Sequence, residues 1–281
     1  MKIGIVGLGL MGASFGKTVR AKTSDTVLGA DINEDTVLKA TLVGAVDGIL
    51  DTENAKDVDI LIVSVYPRSF RKVAEKYLPF MKKGSAVIDF CGIKRDVCKE
   101  MKELSLSYPD INFIGGHPMA GREFSGIDHA VSTLFERSSM LMIPVATDIF
   151  AEEKLKAYFL SLGFGEVVFT TADEHDEIIS FTSQLCHIVS NAFIKSPTAQ
   201  KHHGFSAGSY RDLTRVARLS PEMWSQLMTD NKDKLAVELK TLIGNLQKYS
   251  DALEEGDENK LKDLLAEGNA LKLAIDTRRN K

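Results

Sequence analysis

The sequence predicts an α/β half followed by an all-α half, and three observations carry that reading. Short apolar runs alternate with helical patterns from residue 2 to about 170, the arrangement of a parallel sheet covered on both faces. After Thr171 the strand signals stop and helical patterns continue alone, which separates a second domain from the first. The composition, with 44% hydrophobic and 26% charged residues over 281 positions, is that of a globular chain long enough to bury a core. The boundary is placed at residues 170/171, giving segments 1–170 and 171–281.

The elements follow in chain order. Strands are expected at Lys2–Val6, Thr26–Ala30, Ile60–Val65, Ala86–Phe90, Asn112–Gly115, Met140–Pro144 and Val167–Phe169, each a short, largely apolar run. Amphipathic stretches such as Phe70–Phe80 and Val97–Leu106 lie between them. Helices are expected at about 172–195, 204–219, 221–254 and 257–278. The segment Ile178–Ile194 holds seventeen residues without a formal charge. Its serines, threonine, glutamine, histidine and asparagine make it too polar and too short to span a membrane, so it reads as a helix covered on most sides.

Charge and cysteine content exclude several classes. Thirty-five basic against thirty-nine acidic residues give a net charge of -4, which does not favour nucleic acid. Cys91, Cys98 and Cys186 form neither a CxxC pair nor an even-numbered framework, so a reducing, cytoplasmic setting is expected. Met1-Lys2 runs directly into the first strand, leaving no room for a signal peptide ahead of it. No appended regulatory fold is expected at the other end, and no metal site is found.

The first motif is a nucleotide site. Gly7-Leu8-Gly9-Leu10-Met11-Gly12 follows a strand and opens a helix, the context that gives GxGxxG its meaning. Gly7 permits the tight turn, Gly9 lets backbone approach a pyrophosphate, and Gly12 allows close helix–strand packing. The helix N-terminus around Leu10 and Met11 faces the negative charge. The second strand ends in Asp31, nineteen residues after Gly12. An acidic residue there accepts from the ribose diol and repels a 2′-phosphate, so NAD is favoured over NADP. A Rossmann-type dinucleotide-binding domain is therefore expected. Ser64 and Val65 end another apolar strand and are expected to touch the adenosine or ribose, while Pro67 equally suits a helix start.

The second motif is a candidate acid–base site. Gly115-Gly116-His117-Pro118-Met119-Ala120-Gly121 follows a further strand. The glycines allow close approach of a ligand, and His117 would hang over the crevice that holds the cofactor. A neutral imidazole there can take a proton from a substrate hydroxyl. Activity is expected to fall below the His117 pKa.

The combination of VGLGLMG, the Asp31 strand end, GGHPMAG and Arg211-Asp212-Leu213-Thr214-Arg215-Val216-Ala217 resembles the prephenate/arogenate dehydrogenase family of tyrosine biosynthesis. The resemblance spans about residues 2 to 275. It implies NAD-dependent oxidative decarboxylation of prephenate, or of its amino analogue arogenate, with His117 as the catalytic histidine. It also implies that Arg215 grips a substrate carboxylate, for which a guanidinium fork is suited. Arg211, Arg215 and Arg218 fall at i, i+4 and i+7 of one expected helix, with Asp212 placed to orient Arg215. Ser183-Gln184-Leu185-Cys186-His187 resembles the family's SHLPH/SQLPH run, which places His187 and Gln184 in the substrate pocket. Cys186 replaces a frequent proline and should straighten the helix. Gly92 stands where many members carry a serine that contacts substrate or nicotinamide, and Lys94 fits either a cofactor contact or a first helical turn. The family's second domain is an all-α dimerisation domain, so a homodimer is implied.

Weaker candidates are explained without function. Asp173-Glu174-His175-Asp176 sits at a helix start, where acidic residues suit the helix dipole. His202-His203 lacks metal-ligand spacing, and Trp224 reads as packing near the pocket. Two rivals remain. A β-hydroxyacid dehydrogenase would need a lysine on the first long helix of the second domain, where residues 178–194 carry no charge. A non-catalytic NAD-binding regulator would not need His117 and Arg215 together.

Overall fold

The computed structural model describes residues 1–279. Its α/β part runs β1 (Lys2–Val6), α1 (Leu10–Lys22), β2 (Thr26–Ala30), α2 (Glu34–Leu42), β3 (Gly48–Ile49), β4 (Ile60–Val63), α3 (Phe70–Tyr77), β5 (Ala86–Asp89), α4 (Arg95–Ser107), β6 (Asn112–Pro118), β7 (Ser139–Ala146), α5 (Ile149–Ser161) and β8 (Glu166–Phe169). The strands form one sheet in the order β3-β2-β1-β4-β5-β6-β7-β8.

Strands β1 to β6 pair in parallel, which puts the carboxyl ends of β1, β2, β4, β5 and β6 along one edge. The order reverses at β1, so the crevice outside β1 and β4 is the ligand position of such a sheet. The expectation of a wholly parallel sheet fails at the far side. β7 runs antiparallel to β6, and β8 then pairs parallel with β7. Residues 119–138 hold a single 3₁₀ turn, Ile127–His129, and no crossover helix, and a parallel return requires a crossover. β3, two residues long, leaves no periodic signal to read.

Alternation along the strands builds a core on each face. Ile60, Ile62 and Ile88 pack with Phe15 of α1 and Phe159 of α5. Leu61, Val63 and Val87 point the other way, onto Phe70 and Tyr77 of α3 and Val97 and Met101 of α4. Phe15 meets Phe90 edge-on at 5.1 Å, the arrangement aromatic rings prefer.

The remainder is helical: α6 (Ala172–Ile179), a π turn at Ser180–Leu185, α7 (Cys186–Phe193), α8 (Gly208–Thr214), α9 (Pro221–Asp230), α10 (Lys232–Glu255) and α11 (Glu258–Arg279). The helix expected at 172–195 is present but not straight, because the π turn widens it just before Cys186. The Cys186 thiol contacts the Phe181 carbonyl five residues back at 3.6 Å. The helix expected at 204–219 is limited to α8. Pro221 opens α9 and disfavours helical backbone at Ser220, which is extended and caps α9 instead. Arg218 is therefore off the helix and shares no helical face with Arg211.

The expected helix 221–254 is broken at Asn231, whose side-chain amide bonds to neighbouring segments rather than to its own helix. The chain divides into two compact units, Met1–Asn231 and a second beginning at Lys232. In the second unit, Gly256 in the left-handed region ends α10, and the Tyr249 hydroxyl donates to the Leu264 carbonyl of α11 at 3.2 Å. Among the described residues no helix is long and apolar enough to cross a membrane. The uncharged segment is not covered by its own unit: Ile178, Phe181 and Phe193 are 52%, 58% and 46% exposed.

Candidate active site

The glycine loop lies at the carboxyl end of β1 and is built as the motif requires. Gly7 has φ +91°, and a Cβ on it would stand 2.2 Å from the Ser64 carbonyl oxygen. A Cβ on Gly12 would stand 1.9 Å from the Gly7 carbonyl oxygen. A Cβ on Gly9 would meet nothing within 4 Å, so the loop leaves open space where a phosphate must approach backbone. No side chain caps α1 and its first turn carries no acidic residue. The amides around Leu10 and Met11 are thus free of a protein anion. Asp31 accepts from the Leu8 amide at 2.8 Å and the Asn33 amide at 3.0 Å. That fixes its carboxylate beside the loop with lone pairs to spare for a diol. Ser64 and Val65 lie against Gly7. These residues fit a dinucleotide.

His117 stands near the carboxyl end of β6, half-buried. Its Nδ1 lies 2.8 Å from His175 Nε2, and His175 Nδ1 lies 2.7 Å from Asp176 Oδ1. Asp176 also accepts from the backbone amides of Lys94 at 2.7 Å and Arg95 at 2.9 Å. It therefore caps α4, which has no cap of its own. His117 Nε2 has no protein partner among the described residues. Burial pushes the His117 pKa well below its ordinary 6.5, aided by the nearby His175 and the Lys94 cation. Burial also lowers His175, against the opposing pull of Asp176.

Lys94 resolves toward structure. It is fully buried and paired with Asp89, and its ammonium donates to the Gly116 carbonyl at 2.7 Å. Asp89 in turn accepts from the Gly116 amide at 3.1 Å and the Cys91 amide at 2.9 Å. This ring of bonds fixes the residue preceding His117. Cys91 is a buried thiol raised by desolvation, bonded to the Val65 carbonyl. Gly92 is partly exposed, and a Cβ there would meet only Leu227 at 3.5 Å.

The helical side brings His187, Trp224 and Arg215 to one region. His187 stacks on Trp224 with ring centroids 3.8 Å apart, and its Nδ1 lies 2.9 Å from the Ser183 carbonyl. Its pKa is lowered by burial, with the Arg215 charge adding to the effect. Arg215 lies just past α8, 65% exposed, paired with Glu123 from the loop after His117. Arg215 pairs with Glu123 and not with Asp212, the partner expected from spacing. Asn191 donates to the Ala217 carbonyl at 3.1 Å and holds that turn to α7.

Gln184, expected in the substrate pocket, is enclosed by protein. It is 1% exposed, donates to the Leu227 carbonyl at 3.0 Å and accepts from Asn231 at 2.8 Å. The π turn sends it into a closed network with Leu227 and Asn231. His175 and Asp176 were missed. The helix dipole accounts for Asp173 and Glu174 but not for a His–Asp pair in phase with buried Ile179, and that phase was the readable signal.

Comparison with known proteins agrees with this geometry. The family model "Prephenate dehydrogenase, nucleotide-binding domain" matches residues 15–167, and "Prephenate dehydrogenase, dimerization domain" matches residues 171–267. The chain is 28% identical to a cyclohexadienyl dehydrogenase of Zymomonas mobilis, covering 98% of this chain and 96% of that one. The crystal structure of Aquifex aeolicus prephenate dehydrogenase with hydroxyphenyl propionate and NAD+ superposes with a TM-score of 0.84 at 25% identity, covering 98% of both chains. Synechocystis arogenate dehydrogenase gives 0.79 at 26% identity, over 98% of this chain and all of that one. With both models matched in succession along one chain, the protein belongs to the prephenate dehydrogenase family.

Proposed function

We propose that this enzyme oxidatively decarboxylates prephenate to 4-hydroxyphenylpyruvate with NAD as hydride acceptor, as a cytoplasmic homodimer. The observation that carries the reading is an imidazole with one free nitrogen at the carboxyl edge of a dinucleotide-binding sheet, together with a guanidinium reaching the loop that follows it. NAD supplies the hydride-accepting ring when bound. Gly7, Gly9 and Gly12 would cradle its pyrophosphate, with the Leu10 and Met11 amides directed at it. Asp31 would take its ribose, and Ser64 and Val65 would border it.

His117 accepts the proton of the ring hydroxyl as the C4 hydride leaves, so a carbonyl develops there. Loss of the ring carboxylate as carbon dioxide returns the electron pair to the ring. The resulting phenolate takes its proton back from His117, so no net proton is released. Arg215 holds a carboxylate of the substrate, exchanging Glu123 for it, and His187 on its Trp224 platform borders the same pocket. Gly92 leaves room beside the ring.

Arogenate is the second reading, favoured by the likeness to an arogenate dehydrogenase. The deciding experiment compares kcat/KM for prephenate and arogenate, each with NAD and NADP. Faster turnover of prephenate with NAD is expected. A preference for arogenate would move the assignment to that substrate. Tight NAD binding with turnover of neither would overturn the dehydrogenase reading.

A further inference from the structure

A buried chain of four groups runs from the N-terminus of α4 to His117, and donor–acceptor accounting narrows it to two arrangements that differ in the charge of His175. Asp176 receives the Lys94 and Arg95 amides and the Arg95 guanidinium at 3.3 Å. All are donors that carry no lone pair, so the carboxylate is ionised and acts only as acceptor; its pKa lies below the ordinary carboxylate value despite burial. His175 Nδ1, 2.7 Å from that carboxylate, must therefore carry a hydrogen.

The choice then rests on the charge of His175. A cationic His175 would donate from Nε2 and make His117 Nε2 a donor, which is useless as a base. A neutral His175 accepts at Nε2, which obliges His117 to donate from Nδ1 and leaves its Nε2 lone pair bare. Full burial of His175 and the Lys94 cation nearby both oppose a charge on it. Asp89, from the end of β5, and Asp176 pull the other way, and burial is the largest of these effects.

We propose that His175 and Asp176 are positioning residues that hold His117 as its Nδ1–H tautomer, so that Nε2 stands as the base for the substrate hydroxyl. When His117 takes the proton, the same chain places the Asp176 carboxylate one imidazole away from the new cation and stabilises it. The role of the base rests on the dehydrogenase reading, but the tautomer does not.

The test is long-range proton–nitrogen NMR of imidazole-labelled, ligand-free protein at pH 8, with kinetics on two variants. His117 is expected with Nδ1 protonated and Nε2 bare. His175→Leu should let the other tautomer appear and lower kcat about ten- to a hundredfold, with KM for prephenate and Kd for NAD within about twofold. His175→Gln, whose carbonyl can accept from His117 while its amide donates to Asp176, should restore kcat to within about threefold. A wild-type His117 protonated at Nε2 overturns the proposal, and so does a His175→Leu protein with unchanged tautomer and rate. Because the wild-type spectrum needs neither turnover nor a variant that folds, failure of the substrate assignment leaves the tautomer result standing.

Discussion

His117 is faced by His175 from α6 and by Lys94, which immediately precedes α4, with Asp89 from β5 and Asp176 behind them. Burial dominates, and it favours the neutral ring. With His117 as the proposed base, a ring that stays unprotonated to well below 6.5 would keep the enzyme active into mildly acid solution. The kcat/KM profile should be flat from pH 8 down to about 6.5 and fall only below it. An acid limb centred above 6.5 would contradict this burial. The stability sign follows from the same shift. Below 6.5 the unfolded chain binds protons that folded His117 and His175 refuse, so stability should drop as pH falls through that range. Thermal melts between pH 8 and 5 read that directly. At Arg215, loss of a charge-assisted bond worth about 1.5–3 kcal/mol should raise KM for prephenate roughly ten- to a hundredfold in Arg215→Ala. NAD affinity should be nearly unchanged, and a parallel loss of NAD binding would make Arg215 structural. That the glycine loop, Asp31 and His117 stand at the carboxyl ends of β1, β2 and β6 was legible from sequence, because strand ends at a parallel edge are local patterns. The burial of Gln184 is not legible because its partners, Leu227 and Asn231, are more than forty residues away.

The N-terminus of α4 ties the sheet to the helices. Its helix has no local cap, and Asp176, eighty-two residues from Lys94, supplies one. Lys94 itself spans β5 and β6 through Asp89 and Gly116. Neither bond could be seen in sequence, because adjacency of β5 to β6 and the docking of α6 are tertiary facts. Only the residue types and their phase are local. The strand runs, β7 among them, were legible for the same reason, while β3 and the antiparallel direction of β7 were not: one is too short for a period, and direction is set by the connection. Removing one member of a fully buried ion pair strands the other, at a cost of about 3–5 kcal/mol. Lys94→Met should therefore lower the unfolding free energy by that amount, seen as a lower urea midpoint at an unchanged slope. Replacing both members, Lys94→Met with Asp89→Asn, should be milder than the single change. A Lys94→Met protein as stable as wild type would show that the pair does not hold β6 in place.

The sequence predicts a helix covered on most sides at Ile178–Ile194, and within its own unit it is not covered. Ile178, Phe181 and Phe193 lie open on one compact unit. The second unit exposes Leu246, Leu253, Leu265 and Leu271 along its two helices. Apolar surface of that extent is what a subunit interface buries. A twofold interface uses each residue twice, so one substitution acts in both copies. Burial of a phenylalanine side chain is worth about 1.5–3 kcal/mol, so Phe181→Glu should weaken dimerisation by at least about 3 kcal/mol, roughly a hundredfold or more in dissociation constant. Light scattering should give twice 30.9 kDa for the wild type and a shift toward 30.9 kDa for the variant at micromolar concentration. Phe181 touches none of the groups assigned to the nucleotide, so NAD affinity of the resulting monomer separates assembly from folding. If the monomer binds NAD as the dimer does, the helices assemble the enzyme without building its nucleotide site. A wild-type chain that is monomeric at micromolar concentration would leave these apolar faces without a partner and overturn the homodimer.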